Sequence, residues 1–102
     1  MDKLENRTKL MAILGERDRL CETNNYQAYK KYQEAIDYCY NALSYEYQRI
    51  IKKSYLEFND LFRFWWIDEY SKSAFYRKIR KAENAFVNLF EMKYEKFIIS
   101  TN

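Results

Sequence analysis

The stretch SKSAFYRKIRKAENAFVNLF, residues 71–90, decides the fold because it has the pattern of one long helix with two different faces. Ser71 stands before it as a natural N-cap. Apolar residues recur at steps of three and four: Phe75, Ile79, Ala82, Phe86, and Leu89 or Phe90. The spacing predicts a last helix from about Lys72 to Phe97 with one buried stripe, in which the small Ala82 lets another helix cross closely.

The first turns of this helix also concentrate the positive charge of the chain. Five basic residues, uninterrupted by an acid, lie between Ser71 and Ala82: Lys72, Arg77, Lys78, Arg80 and Lys81. The chain has 18 basic and 15 acidic residues, so without these five its other basic residues are outnumbered. Such a run is usually a solvated face, but a basic face beside an apolar stripe is also the pattern of a DNA-recognition helix.

Composition favours a single all-α domain. The chain has 102 residues, no Pro and a single Gly, so few residues interrupt helices. Aromatic residues make up 20% of it, which gives enough buried area for stability without a disulfide or metal. Cys21 and Cys39 are expected to be buried thiols of a reducing compartment rather than a disulfide.

The N-terminal part is expected to contain a helix and then a break. A first helix is predicted from Lys3 to Leu14, with Gly15 opening a frayed continuation or a linker. Its apolar stripe is predicted to be Leu4, Met11 and Leu14, with Leu10 beside it. Asn24 followed by Gln27 has capping-box spacing, so a second helix is expected to begin there.

The second helix combines an apolar seam with many tyrosines. The seam follows helical spacing: Tyr29, Tyr32, Ile36, Cys39 and Leu43. Either this is a core helix buried on several faces, or it presents a protein-binding surface made of Tyr26, Tyr29, Tyr32, Tyr38 and Tyr40. The heptad-like part of the seam spans barely two heptads, so it leaves a homodimer open.

The next segment predicts a helix-turn-helix. Ser44 is a candidate N-cap with Glu46 in the first turn of a third helix. That helix carries Tyr47, Ile50, Ile51, Tyr55 and Phe58. After Asn59, LFRFWWIDEY (residues 61–70) predicts a short apolar helix that packs Phe62, Trp65 and Trp66 into the core. A short helix, a tight corner at residues 69–71 and a long basic helix follow the order of helix-turn-helix proteins.

Catalysis, cofactors and membranes are not expected. The chain has no His, and two cysteines alone cannot form a structural zinc site. Gly15 alone cannot form a phosphate-binding loop, and the adjacent Asp68 and Glu69 point in different directions on a helix. An apolar run of bilayer length is missing, and MDKLENRTKL lacks a signal-peptide core. A soluble, cytoplasmic protein that is not an enzyme is therefore expected.

Residues 43–90 resemble a known family, the phage transcriptional regulators of the ArpU and RinA type, which are related to region 4 of sigma factors. The helix that precedes the family motif is matched by Ile50, Ile51, Tyr55 and Leu56. The motif itself is matched by Tyr70, Ser71, Ser73, Phe75, Tyr76, Arg77, Lys78, Ala82 and Phe86. Glu69 departs from the small residue common in the corner, and Ala74 from the frequent Thr. The first forty residues match poorly.

The resemblance implies one domain, residues 1–102, with variable N-terminal helices (1–42) before a sigma-region-4-like unit (43–99). It also implies late-gene control in a bacterial host cell, with double-stranded DNA as the partner and RNA polymerase as a second one. The predicted groove contacts are Lys72, Ser73, Tyr76, Arg77 and Arg80, with Lys78 and Lys81 on flanking phosphates. The alternative hypothesis is a small phage or mobile-element protein that binds a host or phage protein and uses this fold as a scaffold.

Overall fold

The computed structural model describes the backbone of residues 3–100 and the side chains of residues 5–94. Within this range the chain forms α1 (Lys3–Glu22), α2 (Tyr26–Ala42), α3 (Tyr45–Ile51) and α4 (Lys72–Ser100). A π-helical turn, Lys52–Leu56, continues α3, and a 3-10 turn follows at Asp60–Phe62. The described chain contains no strand, and the predicted all-α bundle with a long last helix is confirmed.

α1 is longer than predicted. It runs through Gly15 to Glu22, so the predicted end at Leu14 is wrong, and of the two alternatives after Gly15 the structure has a continuation of the helix and not a linker. The buried stripe is also shifted: Leu10, Ile13 and Leu20 are buried, whereas the side chain of Met11 is 56% exposed. Burial of Leu20 against the bundle offsets the cost of about 1 kcal/mol that glycine imposes inside a helix. The side chain of Leu4 lies outside the described residues.

The corner between α1 and α2 is built differently from the predicted capping box. Asn24 has a φ of 59°, a left-handed conformation, and its N–H lies 3.3 Å from the carbonyl oxygen of Cys21. Asn24 therefore ends α1, because asparagine tolerates this conformation better than most residues. Asn25 is the N-cap of α2, and its side chain makes no capping hydrogen bond.

The seam of α2 and the start of α3 follow the predictions. Four of the five predicted seam residues are buried, namely Tyr32, Ile36, Cys39 and Leu43, and Tyr29 is partly buried. The Ser44 hydroxyl accepts a hydrogen bond from the Tyr47 N–H at 3.3 Å, which confirms it as the N-cap of α3.

The segment before α4 is not the predicted short helix. The Asn59 side chain accepts from the Leu61 N–H at 2.9 Å, and successive three-residue hydrogen bonds then carry the chain through tight turns. Both tryptophans of this segment meet the ring of Phe75 on α4. Trp66 is buried and Trp65 partly buried as predicted, but Phe62 faces solvent.

α4 is the central element, in contact with α1, α2 and α3. Its predicted stripe is confirmed: Phe75, Ala82, Phe86 and Phe90 are buried, and Ile79 and Leu89 are partly buried. Ala82 and Phe86 have no exposed surface at all. Because one face of α4 is used for the core, the opposite face of its first turns is left for solvent or a partner.

Candidate nucleic-acid interface

The start of α4 is set by a hydrogen-bonded cap. The Ser71 hydroxyl accepts from the Ala74 N–H at 3.2 Å, and the Ser71 carbonyl accepts from the Phe75 N–H at 2.9 Å. The cap satisfies an N–H that the first turn of a helix leaves without an intrahelical partner. Ser71 is confirmed as the residue that precedes Lys72, the first residue of α4.

An aromatic cluster fixes the orientation of this start. The ring of Phe75 stacks on Trp66 with ring centroids 4.5 Å apart and planes 5° from parallel. Trp65 meets the same ring edge-on at 5.6 Å, and Tyr70 lies at 5.9 Å. Because Phe75 is held against the turn segment, Arg77 and Lys81 point away from the core.

The outward face of these turns is polar and basic. Lys72, Ser73, Arg77 and Lys81 are all exposed. Among the side chains described for residues 5–94, none of these three cations forms a salt bridge. These four of the seven predicted DNA contacts are therefore exposed, and three of them, Ser73, Arg77 and Lys81, follow one side of α4.

Lys78, a predicted phosphate contact, is used within the fold. Its ammonium group lies 2.9 Å from a carboxylate oxygen of Glu46 on α3, and the hydroxyl of Tyr70 donates to the other oxygen at 2.9 Å. The bond from Lys78 lowers the pKa of Glu46, and the bond from Tyr70 lowers it further. Lys78 thus ties α4 to α3, which favours a positioning role over a free phosphate contact.

The acid at the corner is neutralised by an arginine. Glu69 accepts from both terminal nitrogens of Arg49 on α3, a bidentate pair that fixes both side chains. The pKa of Glu69 is lowered, chiefly by the hydrogen bonds from Arg49. The guanidinium carbon of Arg49 also lies 5.1 Å from the ring centroid of Trp65. Glu69 therefore points at α3, and Arg49 is a site residue that sequence reasoning missed.

Tyr76 and Arg80 lie to one side of the exposed basic face. Both line a groove of about 1080 Å³ between α1, residues 54–66 and α4. Tyr76 is 43% exposed and also meets the Trp66 ring at 5.9 Å. The structure therefore separates the predicted DNA contacts into an outward group and a groove group.

Glu83 is a second residue that sequence reasoning missed. It is only 4% exposed, and the hydroxyl of Tyr55 donates a hydrogen bond to its carboxylate. Burial raises the pKa of Glu83, while the Tyr55 bond and the charges of Arg7 and Arg80 act in the opposite direction. Its position four residues after Ile79 and three before Phe86 was a signal, because that spacing places it on the apolar stripe.

The five tyrosines of the alternative hypothesis do not share one exposed surface. Tyr32 is buried, and its ring centroid lies 5.2 Å from that of Phe90 and 5.0 Å from that of Tyr94, so Tyr32 belongs to the core. Tyr29 and Tyr40 are partly buried. Tyr26 and Tyr38 remain exposed, and the ammonium of Lys93 lies 4.6 Å from the Tyr38 ring centroid.

Other kinds of site find little support in the described part of the chain. It contains no cluster of three or more His, Cys, Asp or Glu residues able to hold a metal ion. None of its helices combines the length and the apolar character needed to span a bilayer. No protein-family model, curated protein or solved structure matched the chain. The resemblance to the phage regulators therefore stays a prediction.

Proposed function

We propose that the protein binds double-stranded DNA through the outward face of α4 and regulates transcription of phage or prophage late genes. The observation that carries the DNA-binding part is the exposed stripe Ser73, Arg77 and Lys81 on a helix whose opposite face is buried, with the exposed Lys72 at its start. Within residues 5–94 none of the three cations forms a salt bridge. The regulatory part, with RNA polymerase as a second partner, rests on the resemblance of residues 43–90.

The spacing within this group suits a DNA groove. Ser73, Arg77 and Lys81 follow one another at intervals of four residues, so they form a stripe about 12 Å long at 1.5 Å per residue. That length is close to the width of the major groove. Arg77 would donate two hydrogen bonds to a guanine edge, while Lys72 and Lys81 would neutralise phosphates.

The ion pairs around the stripe support the proposal by removing competing charge. Glu69 is occupied by Arg49, so the acid nearest the start of α4 is already paired. Glu46 is occupied by Lys78 and Tyr70. An approaching phosphate would therefore meet the cations of α4 with the charges of Glu69 and Glu46 already paired.

The decisive experiment is fluorescence-anisotropy titration of labelled DNA flanking the protein's own gene, beside a scrambled duplex, over a salt series. Arg77→Ala is expected to weaken binding to the cognate duplex by about 1–3 kcal/mol and to reduce preference over the scrambled one. Lys81→Ala is expected to weaken binding to both duplexes alike. It should also lower the salt slope, the dependence of log affinity on log salt concentration, by about 0.9. Arg19→Ala removes the same charge from the exposed end of α1, where Arg19 pairs with Glu16, and serves as the control for net charge.

Two results would overturn the proposal. One is equal, feeble binding of both duplexes that Arg77→Ala leaves unchanged. The other is equal loss with Arg77→Ala and Arg19→Ala, because the protein would then bind DNA only through its net charge and not through α4.

A further inference from the structure

The second unusual surface of the molecule is an exposed apolar segment beside the groove. Large apolar side chains more than half exposed recur within ten residues: Phe58, Leu61, Phe62, Phe64 and Ile67. Soluble proteins rarely leave so many large apolar side chains together in solvent unless they contact a partner. Met11, on the α1 side of the groove, is also more than half exposed.

The groove itself joins this segment to the core. Phe58 and Phe64 line it from one side, Met11 and Leu14 from α1, and Ile79 from α4. Its volume of about 1080 Å³ lies just above the range of small-molecule sites, and the apolar surface continues along the chain into Leu61, Phe62 and Ile67. A ligand that covers both the groove and the exposed apolar segment must be elongated. An apolar groove of this kind suits the apolar face of a helix.

The charged side chains of the groove are mainly basic. Arg7, Arg63 and Arg80 reach it from three separate segments, against two acids, Asp18 and Glu83. Glu83 is almost completely buried, so it presents little charge to an occupant.

The two exposed acids of the groove and its rim, Asp18 and Asp60, are already paired with arginines. Asp18 lies 3.1 Å from the side-chain nitrogen Nε of Arg17, so its charge is already paired. Arg63 lies 3.8 Å from Asp60, a loose contact in which both side chains are more than half exposed. Such an exposed pair is worth about 0–1 kcal/mol and is easily exchanged for a carboxylate of a partner.

We propose that this groove and its apolar rim, residues 58–67, bind an acidic amphipathic helix of a partner protein. The apolar face of that helix would cover Met11, Phe58 and Phe64, and its flanking carboxylates would pair with Arg7 and Arg63. This site is separate from the outward face of α4, so it does not depend on the proposed DNA binding.

A second copy of this chain fits the groove less well. Within residues 5–94 the apolar stripes of the helices are already packed in the core, so this part of a copy offers no free apolar helix face. A symmetric contact between two rims would place each rim against the same patch of its copy, and the arginines of both copies would then approach one another.

The test uses three labelled helical peptides of about 18 residues, or five turns. The first carries a Leu/Phe stripe flanked by Glu, the second the same stripe flanked by Lys, and the third has the Glu residues without the stripe. Binding to the full chain is measured by fluorescence anisotropy. The first peptide is expected to bind at least about tenfold more tightly than either of the others.

Variants on the two walls locate the site. Met11→Gln on α1 and Phe58→Ser on the opposite wall are each expected to lower the affinity for the acidic peptide by about fivefold or more. Both side chains are exposed, and an unchanged circular-dichroism spectrum verifies that the variants fold. Tyr45→Ser removes a more exposed aromatic ring at the start of α3 and is expected to leave binding unchanged. Arg63→Glu is expected to weaken binding of the acidic peptide and to strengthen binding of the basic peptide.

Several outcomes overturn the proposal. Equal affinity for the acidic and basic peptides means that apolar contact alone is responsible, and failure of the first peptide to bind removes the site. Self-association in analytical ultracentrifugation that Phe58→Ser abolishes makes a second copy the occupant. Binding to phosphatidylglycerol vesicles without binding to the acidic peptide makes the segment a membrane-surface contact.

Discussion

The hydrogen bond between Tyr55 and Glu83 is the interaction whose loss is most informative. It joins the π-helical turn after α3 to the middle of α4, across 28 positions of the sequence. Glu83 is 4% exposed, so water cannot replace the phenol as a donor without opening the contact. Tyr55→Phe removes one oxygen atom, keeps the ring, and leaves the carboxyl group of Glu83 short of a partner.

The expected cost follows from that burial. A hydrogen bond to a charged group contributes about 1.5–3 kcal/mol, and a buried group left unpaired costs a similar amount. We therefore expect Tyr55→Phe to lower the free energy of unfolding by about 1.5–3 kcal/mol at pH 7. For a domain of this size each kcal/mol lowers the Tm by about 4–8 °C.

The pH dependence of Glu83 gives a second measurement on the same pair. Because burial raises the pKa of Glu83, the folded state holds its proton more firmly than the unfolded chain does. This contribution to stability is fully present below the unfolded pKa of about 4.5 and is lost as pH rises through the folded pKa. Glu83→Gln cannot lose a proton, so its stability relative to wild type should rise over that window and then level off.

Two other carboxylates, Glu46 and Glu69, change stability with pH in the opposite direction, and their effects cancel when wild type is compared with Glu83→Gln. The pKa of Glu46 is lowered by Lys78 and that of Glu69 by Arg49, so their contributions are lost as pH falls. Both wild type and Glu83→Gln contain them, so the difference in stability between the two proteins isolates Glu83.

Urea unfolding followed by circular dichroism measures these effects, with Tyr45→Phe as the control. Tyr45 is 82% exposed, so loss of its hydroxyl should change stability by no more than about 0.5 kcal/mol. If Tyr55→Phe costs no more than this control, or if the difference between Glu83→Gln and wild type is flat with pH, the reasoning about a buried, hydrogen-bonded carboxyl group is refuted.

Three further predictions follow from single residues. Ser71→Ala should destabilise the protein by about 1 kcal/mol in thermal unfolding through loss of the α4 cap, whereas the exposed Ser73→Ala should not; equal effects would contradict the cap. Gly15→Ala should stabilise it by about 0.5–1 kcal/mol in urea unfolding, since a Cβ there meets nothing within 4 Å; a loss of stability would contradict the continuous α1. Burial raises the pKa of Cys39 to about 11, so a thiol reagent at pH 8 should label the exposed Cys21 first; equal rates would contradict that burial.

The stripes and caps of the helices could be predicted from the sequence because they depend on near neighbours. The three- and four-residue steps from Phe75 to Phe90 place those side chains on one face of any α-helix. Ser44 and Ser71 bond to N–H groups three residues away, so their roles as caps needed no knowledge of the rest of the molecule. The exposure of Arg77 and Lys81 follows from the same periodicity.

The errors lie where packing decides between local options. Gly15 weakens a helix by an amount that burial of Leu20 offsets, so α1 continues. The residues around Phe62 have helical composition but are held in tight turns, which leaves that ring in solvent. In both places the local preference is about 1 kcal/mol or less, and contacts with distant elements exceed it.

The sequence by itself determined the all-α class, the buried stripe of α4 and the cluster of cations on its opposite face, because helical periodicity converts spacing directly into faces. Only the tertiary structure decided which charges remain free. Arg49 meets Glu69 across 20 positions and Lys78 meets Glu46 across 32, so no local pattern signals either pair. Folding brings these side chains together, and within residues 5–94 it pairs Lys78 while Lys72, Arg77 and Lys81 form no salt bridge.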